Sequence, residues 1–192
     1  AAGNNGKNAA GQKMYGAIHS PGNDPSVITV GATNTFGTDA RNDDGIATFS
    51  SRGPTRSYYR DANGVKKYDN LIKPDLVAPG NKIISAIGRD AMLLNQNPNL
   101  AVYPTTSTSD EITMMYLSGT SMATPIVSGT AALLLQANPK LTPNMVKMLL
   151  EYTAQPLAGF NILEQGAGQL NVEGVVRVAK QVRQDLSSST PV

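Results

Sequence analysis

Apolar residues in the first 86 positions come in short runs separated by Gly, Pro, Asn and Asp, and after position 120 their spacing turns helical. Residues 26–32 read Ser-Val-Ile-Thr-Val-Gly-Ala, a continuous β-branched run after Pro25. That pattern predicts a strand covered on both faces, as in a parallel sheet. Residues 45–50 predict a second short strand ending at the turn Arg52-Gly53-Pro54. Leu76-Val77-Ala78 and Ile83-Ile84-Ser85-Ala86 predict two more, on either side of Pro79-Gly80. Residues 56–70, RSYYRDANGVKKYDN, are charged, aromatic and broken by Asn63-Gly64, which predicts a solvated hairpin or loop. Residues 88–110, rich in Asn, Thr, Ser and Pro, predict a surface insertion.

From Ser121 the apolar residues Met122, Ala123, Ile126, Val127, Ala131, Ala132, Leu133, Leu134, Leu135 and Ala137 cover almost every side of a 3.6-residue period. This predicts a buried helix. Pro125 fits it only in the first turn, where a missing N–H has no intrahelical partner to lose. Asn138-Pro139 ends the run. A second helix starts with Thr142 as N-cap and Pro143 at its first position, with Met145, Val146, Met148, Leu149 and Leu150 as its apolar face. A third runs from Asn171 or Val172 to about Gln184, after a turn at Gly166 and Gly168. Strands alternating with helices make the class α/β. Residues 1–184 are read as domain and 185–192 as a linker-like tail.

Composition narrows the function classes. Of 192 residues 40% are hydrophobic, and 16 Lys+Arg against 14 Asp+Glu leave a net charge of +2. That balance fits one globular domain and gives a nucleic-acid role little support, since the densest basic stretch, Val65-Lys66-Lys67-Tyr68, lies in the exposed loop. A chain of this length buries roughly 70% of its unfolded surface. The absence of Cys excludes disulfides, a thiol nucleophile and thiolate metal sites, and the single His19 is too few for a common zinc site. No apolar run reaches the ~20 residues of a membrane span.

The candidate chemistry lies in Ser118-Gly119-Thr120-Ser121-Met122-Ala123-Thr124-Pro125. By position alone Ser121 fits two roles, the N-cap of the following helix or an exposed nucleophile at its positive end. Gly119 leaves room there for a substrate backbone. Asn4, in a Gly/Asn-rich loop, reads locally as a turn residue. Asp24, Asp39, Asp43, Asp44 and Asp75 likewise read as turn and loop residues.

Six blocks in order choose between these readings. GTSMATP at 119–125 resembles the serine signature of the subtilisin-like serine proteases, the subtilases. AAGN at 1–4, PSVITVGA at 25–32, FSSRGP at 49–54, KPDLVAPG at 73–80 and GAGQLN at 166–171 resemble that family's other blocks. The resemblance spans almost the whole chain apart from 56–70, 88–110 and the tail. It implies the C-terminal portion of a three-layer domain with a parallel sheet and a buried helix after the nucleophile. It implies a serine endopeptidase in which Ser121 attacks the peptide carbonyl and Asn4 donates to the oxyanion. Ala1, Ala2, Gly3, Ser118 and Gly119 would line the substrate cleft, and His19 or Ser20 would sit near the floor of the pocket for the residue before the scissile bond.

In this family the order is Asp, His, Ser, with the first two upstream of AAGN, so the resemblance places the triad Asp and His outside these 192 residues. His19, in Ile18-His19-Ser20-Pro21-Gly22, bears no likeness to the family's HGTH helix start. The isolated chain is accordingly expected to be inactive. Activity would require an N-terminal fragment of the same precursor, held after an autolytic nick or absent from a shortened chain, or a second copy of this chain. The alternative is an inactive fragment or pseudoprotease that keeps only a peptide-binding cleft. The resemblance further implies secretion, no required cofactor and a possible structural calcium; turns at Asn23-Asp24 or Asp43-Asp44 offer oxygens but no EF-hand spacing.

Overall fold

A computed structural model describes residues 1–88, 90–103 and 114–183. Its centre is strand β1 (Val30–Asn34), which pairs antiparallel with β2 (Gly45–Ile46). On its other side lies β5 (Leu76–Pro79), parallel and in register from Val30 against Leu76 to Thr33 against Pro79. Because successive side chains alternate across a sheet, Val30, Ala32, Leu76 and Ala78 bury one face while Ile46 and Val77 bury the other. Helix α2 (Thr120–Ala137) packs on the first face, backed by α3 (Pro143–Thr153) and α5 (Val172–Ala179). Leu157 and Phe160 cover the second face.

The sequence at 56–70 folds as the expected hairpin, with β3 (Tyr58–Arg60) antiparallel to β4 (Lys66–Tyr68) around Asn63-Gly64. A second sheet joins β6 (Ile83–Ala86), β8 (Met114–Leu117) and β7 (Ala101–Val102), all antiparallel. Helix α1 (Met92–Gln96) and a 3-10 turn lie between β6 and β7, so residues 88–110 are more than a surface loop where they are described. Part of that stretch and the tail 185–192 lie outside the described residues. Thr142 caps α3, accepting from Met145 N, with Pro143 at its first position, as expected.

Several expectations need correction. Among the described residues the central sheet is mixed, with one parallel strand pairing, and the other two sheets are antiparallel, in place of a parallel sheet. The β-branched run enters the ladder only at Val30, because Asp24 Oδ1 first folds Ser26 into a turn and Thr29 N bonds Asp75. The strand expected at 45–50 is two residues long, since Ser50 N turns back to Ala47 O. Helix α2 buries one stripe, Thr120, Ala123, Val127, Thr130 and Leu134, while Leu133 and Leu135, flanking that stripe on either side, are each 44% exposed. It packs on β1, β5 and α5, with Ile126 and Ala131 partly buried beside that stripe. Pro125 falls in its second turn, so Ser121 O loses its helical donor. α5 ends at Ala179.

Asp44 and Asp75 lie in a loop and a bend, as expected, but Asp44 is buried and the Asp75 side chain is only 8% exposed. Asp75 is a hub: its carboxylate accepts from Lys73 Nζ (2.7 Å) and Thr29 N (2.6 Å) and pairs with Lys147 Nζ at 3.0 Å. Both ammonium groups also donate to Val27 O, and Lys147 reaches Pro25 O at 3.2 Å. Burial pulls the Lys73 ammonium below the usual lysine range, with Asp75 opposing. The whole hub therefore depends on mutual satisfaction; removing one partner of such a buried set typically costs about 3–5 kcal/mol.

Candidate active site

The first six residues are threaded between distant elements. Ala2 N bonds Val30 O beside the central strand, Ser51 N bonds Gly3 O, and Gly6 N bonds Phe49 O. Asn5 N donates to Ser51 Oγ at 3.0 Å, and Arg52, also hydrogen-bonded to Gly6 O, is clamped by Glu164 at 3.0 Å with both side chains 2% exposed. Lys13 adds a 2.9 Å contact to the same Glu164 oxygen. Burial pushes the Glu164 carboxyl up, but the Lys13 hydrogen bond, the Asn161 N–H and Arg52 outweigh it and hold it below the usual glutamate range. This places the loop rigidly against the start of α2.

Thr120 makes the connection. Asn4 Oδ1 accepts from Thr120 N at 2.9 Å and from Thr120 Oγ1 at 3.0 Å, and Gly3 N donates to Thr120 Oγ1 at 3.2 Å. The amide oxygen of Asn4 thus does for α2 what an N-cap side chain does, since the cap residue is Gly119 and supplies none. The first helical N–H groups are then allotted in turn. Thr120 N goes to Asn4, while Met122 N and Ala123 N go to Gly119 O. Among the described residues, Ser121 N–H keeps no acceptor and the Ser121 hydroxyl no hydrogen bond.

Gly119 sits between the two donors. A Cβ there would stand 3.3 Å from Asn4 Nδ2 and 3.7 Å from Ser121 N, close to both donor nitrogens. Gly3 has a different necessity: its φ of +106° is left-handed, and a Cβ would come within 2.8 Å of His19 Cδ2 and 2.9 Å of Ser51 Oγ. Ser121 is exposed on the first turn of an 18-residue helix, whose positive end favours developing negative charge. It is the second helical residue, so it does not cap the helix.

The structure therefore brings Asn4, Gly119 and Ser121 together, with Gly3 behind them. His19 is exposed beside that loop, its Nε2 2.6 Å from Asn5 Nδ2. Ala1 O lies beside Gly22, and exposed Ser20 precedes Pro21 in the same segment. Ser118 faces elsewhere: its hydroxyl accepts from Lys82 N at 2.9 Å and donates to Asn81 Oδ1 at 3.2 Å. Thr120, Ser51 and Arg52 were not singled out from the sequence, though all three lie inside the quoted blocks. Their signal was a polar residue adjoining a Gly or Ser of a motif, which by itself points to no role.

Comparison with known proteins decides the family. The model described as Subtilase family matches residues 1–175. This chain belongs to the subtilase family. The subtilase chain is 39% identical over 177 residues to the serine protease AprX of Bacillus subtilis, covering 92% of itself and 34% of that protein. It is 33% identical over 165 residues to the subtilisin-like protease SBT6.1 of Arabidopsis thaliana, covering 83% of itself and 12% of the relative. Among solved structures it resembles the CspB protease of Clostridium perfringens, with a TM-score of 0.62 at 26% identity over 90% of this chain and 31% of that one. The self-cleaved protease domain of PatA gives a TM-score of 0.55 at 30% identity over 94% and 48%. The chain thus spans about a third or less of the curated relatives it matches. The fold is a subtilisin-like α/β fold with mixed sheets, and the homology is to serine proteases that hydrolyse peptides or proteins.

Proposed function

We propose that this chain is the serine-bearing, C-terminal portion of a subtilisin-type endopeptidase domain. Ser121 Oγ attacks the peptide carbonyl, and the oxyanion formed is held by Ser121 N–H and Asn4 Nδ2–H. The observation that carries this reading is the allotment of polar atoms at the start of α2. Asn4 spends its oxygen on Thr120, which leaves its amide N–H groups beside Gly119 and the uncommitted Ser121 N–H. A serine hydroxyl needs a base to react at neutral pH. In this reading the His and its Asp come from polypeptide outside these 192 residues, an N-terminal fragment of the same precursor or a second copy. The imidazole takes the serine proton, returns it to the leaving amine as the C–N bond breaks, and water then releases the acyl group. The contacts of His19 with Gly3 and Asn5 support a place for it in the wall of the substrate pocket.

A fluorophosphonate probe tests the reading, because it labels a serine only when a base activates it. The chain co-expressed with the segment encoded before it is expected to label at Ser121, and the isolated chain is not. Silence of the assembled material would favour a peptide-binding pseudoprotease instead. Exchange of His19 for Gly in the assembled enzyme is expected to change the substrate profile; an unchanged profile removes His19 from the pocket.

A further inference from the structure

The second face of the central sheet, away from Ser121, carries an unbalanced polar cluster. Among the described residues three buried side-chain oxygens have no hydrogen-bond partner: Thr33 Oγ1, Asp44 Oδ1 and Gln169 Oε1. The residues are 0%, 9% and 3% exposed, respectively. Strand register puts them on one side of the sheet. Thr33 pairs with Ile46, and Asp44 immediately precedes that two-residue strand. Gly31, two residues from Thr33, pairs with Val77, which bridges to Gln169. Gln169 Nε2 also donates to Asp44 Oδ2 at 2.7 Å, so two of the three orphaned oxygens belong to a carboxylate and an amide already joined.

Neither of those oxygens can satisfy the other, because both only accept. The formal charge of Asp44 is equally unmet. Among the described residues no ammonium or guanidinium pairs with it, and the nearby Arg41 is committed to Gln155 Oε1 and Leu170 O. A bare carboxylate in such a place is costly, and a water molecule would supply hydrogen bonds but no charge. We propose that Thr33, Asp44 and Gln169 form a buried site for a hard monovalent cation, sodium or potassium. Oxygen-only ligands select hard cations. One carboxylate among neutral oxygens balances a single positive charge, whereas calcium sites generally gather more carboxylates. Among the described residues no group of three or more His, Cys, Asp or Glu forms, so neutral oxygens carry this site. It is independent of the protease reading.

The test is thermal unfolding of the 192-residue chain at fixed ionic strength, with sodium or potassium chloride replacing tetramethylammonium chloride. An ion that binds only the folded state should raise the midpoint by roughly 3–6 °C at ten times its dissociation constant. Asp44→Asn should abolish the gain. Thr33→Val, which keeps the shape and removes one oxygen, should weaken the ion's affinity several-fold while folding normally in tetramethylammonium, and it decides the matter if Asp44→Asn does not fold. Equal midpoints in all three chlorides would leave only buried water and overturn the proposal. An undiminished gain in Thr33→Val, or a response to calcium alone, would overturn it too.

Discussion

The Asn4–Ser121 corner and the β3–β4 hairpin are both exposed and polar, yet they are built by opposite means. The hairpin is held by its own residues. The Tyr58 and Tyr68 rings meet at a 60° tilt with centres 5.7 Å apart, Lys66 lies 4.2 Å from the Tyr58 ring centre, and Arg60 reaches Gly64 O only four residues away. The corner has almost no local bonds. Its contacts join residues 46, 116 and 117 positions apart and end on buried anchors such as Arg52 and Glu164. Local bonding lets the hairpin change without consulting the rest of the molecule. Distant bonding lets the whole fold hold two N–H groups in place, which is what electrostatic catalysis demands of its donors.

The sharpest way to break this contrast is to remove the donor while keeping its anchor. In the assembled enzyme Asn4→Asp retains an oxygen for Thr120 but loses the amide N–H. It is expected to lower kcat about 10²–10³-fold with little change in KM, a magnitude taken from the corresponding asparagine of subtilisin. Steady-state kinetics on a chromogenic peptide, beside a urea melt of the same variant, would reveal a merely structural Asn4 through lost stability with unchanged kcat. Next in size is Gly3→Ala. Its left-handed backbone and the 2.8 Å approach to His19 should cost roughly 1–3 kcal/mol in the same melt. A neutral result would mean that the corner yields as easily as the hairpin.

Acid probes the anchor. The Glu164 carboxyl titrates below its unfolded value, so the folded state binds its proton less readily. The stability it contributes is full above the ordinary carboxylate range and is lost as the pH falls through that range and below. Unfolding free energy measured between pH 6 and pH 3, on the order of one such carboxylate's contribution, should decline less steeply in Glu164→Gln than in the parent chain. At the small end, Lys67→Ala breaks only the exposed 3.7 Å contact to Asp61. It should shift stability by less than about 0.5 kcal/mol. A larger loss would show that the hairpin is tied to the core after all.

The same contrast explains what could be read from the residues alone. The hairpin was legible because its cause is local: Asn63-Gly64 between alternating aromatic and charged residues. Thr142-Pro143 announced α3 for the same reason. Ser121 and Asn4 could be paired only through the ordered blocks, because nothing near Asn4 signals a helix start 116 residues away. Periodicity overstated the burial of α2, since an apolar residue such as Leu133 is recorded in the sequence whether or not a neighbour covers it. Asp44 and Asp75 do lie outside helix and strand, as read, but their anchoring was not legible because it depends on Gln169 and Lys147, far along the chain.

The Asp75 hub draws its positive charges from Lys73 and Lys147, which are synthesised with the protein. They cannot be dialysed away or sequestered by a chelator, and dilution does not lower their occupancy. Where chain segments are pinned by such tethered counter-charges, the junction holds alike in mineral-poor and mineral-rich surroundings and gives up any means of sensing the difference.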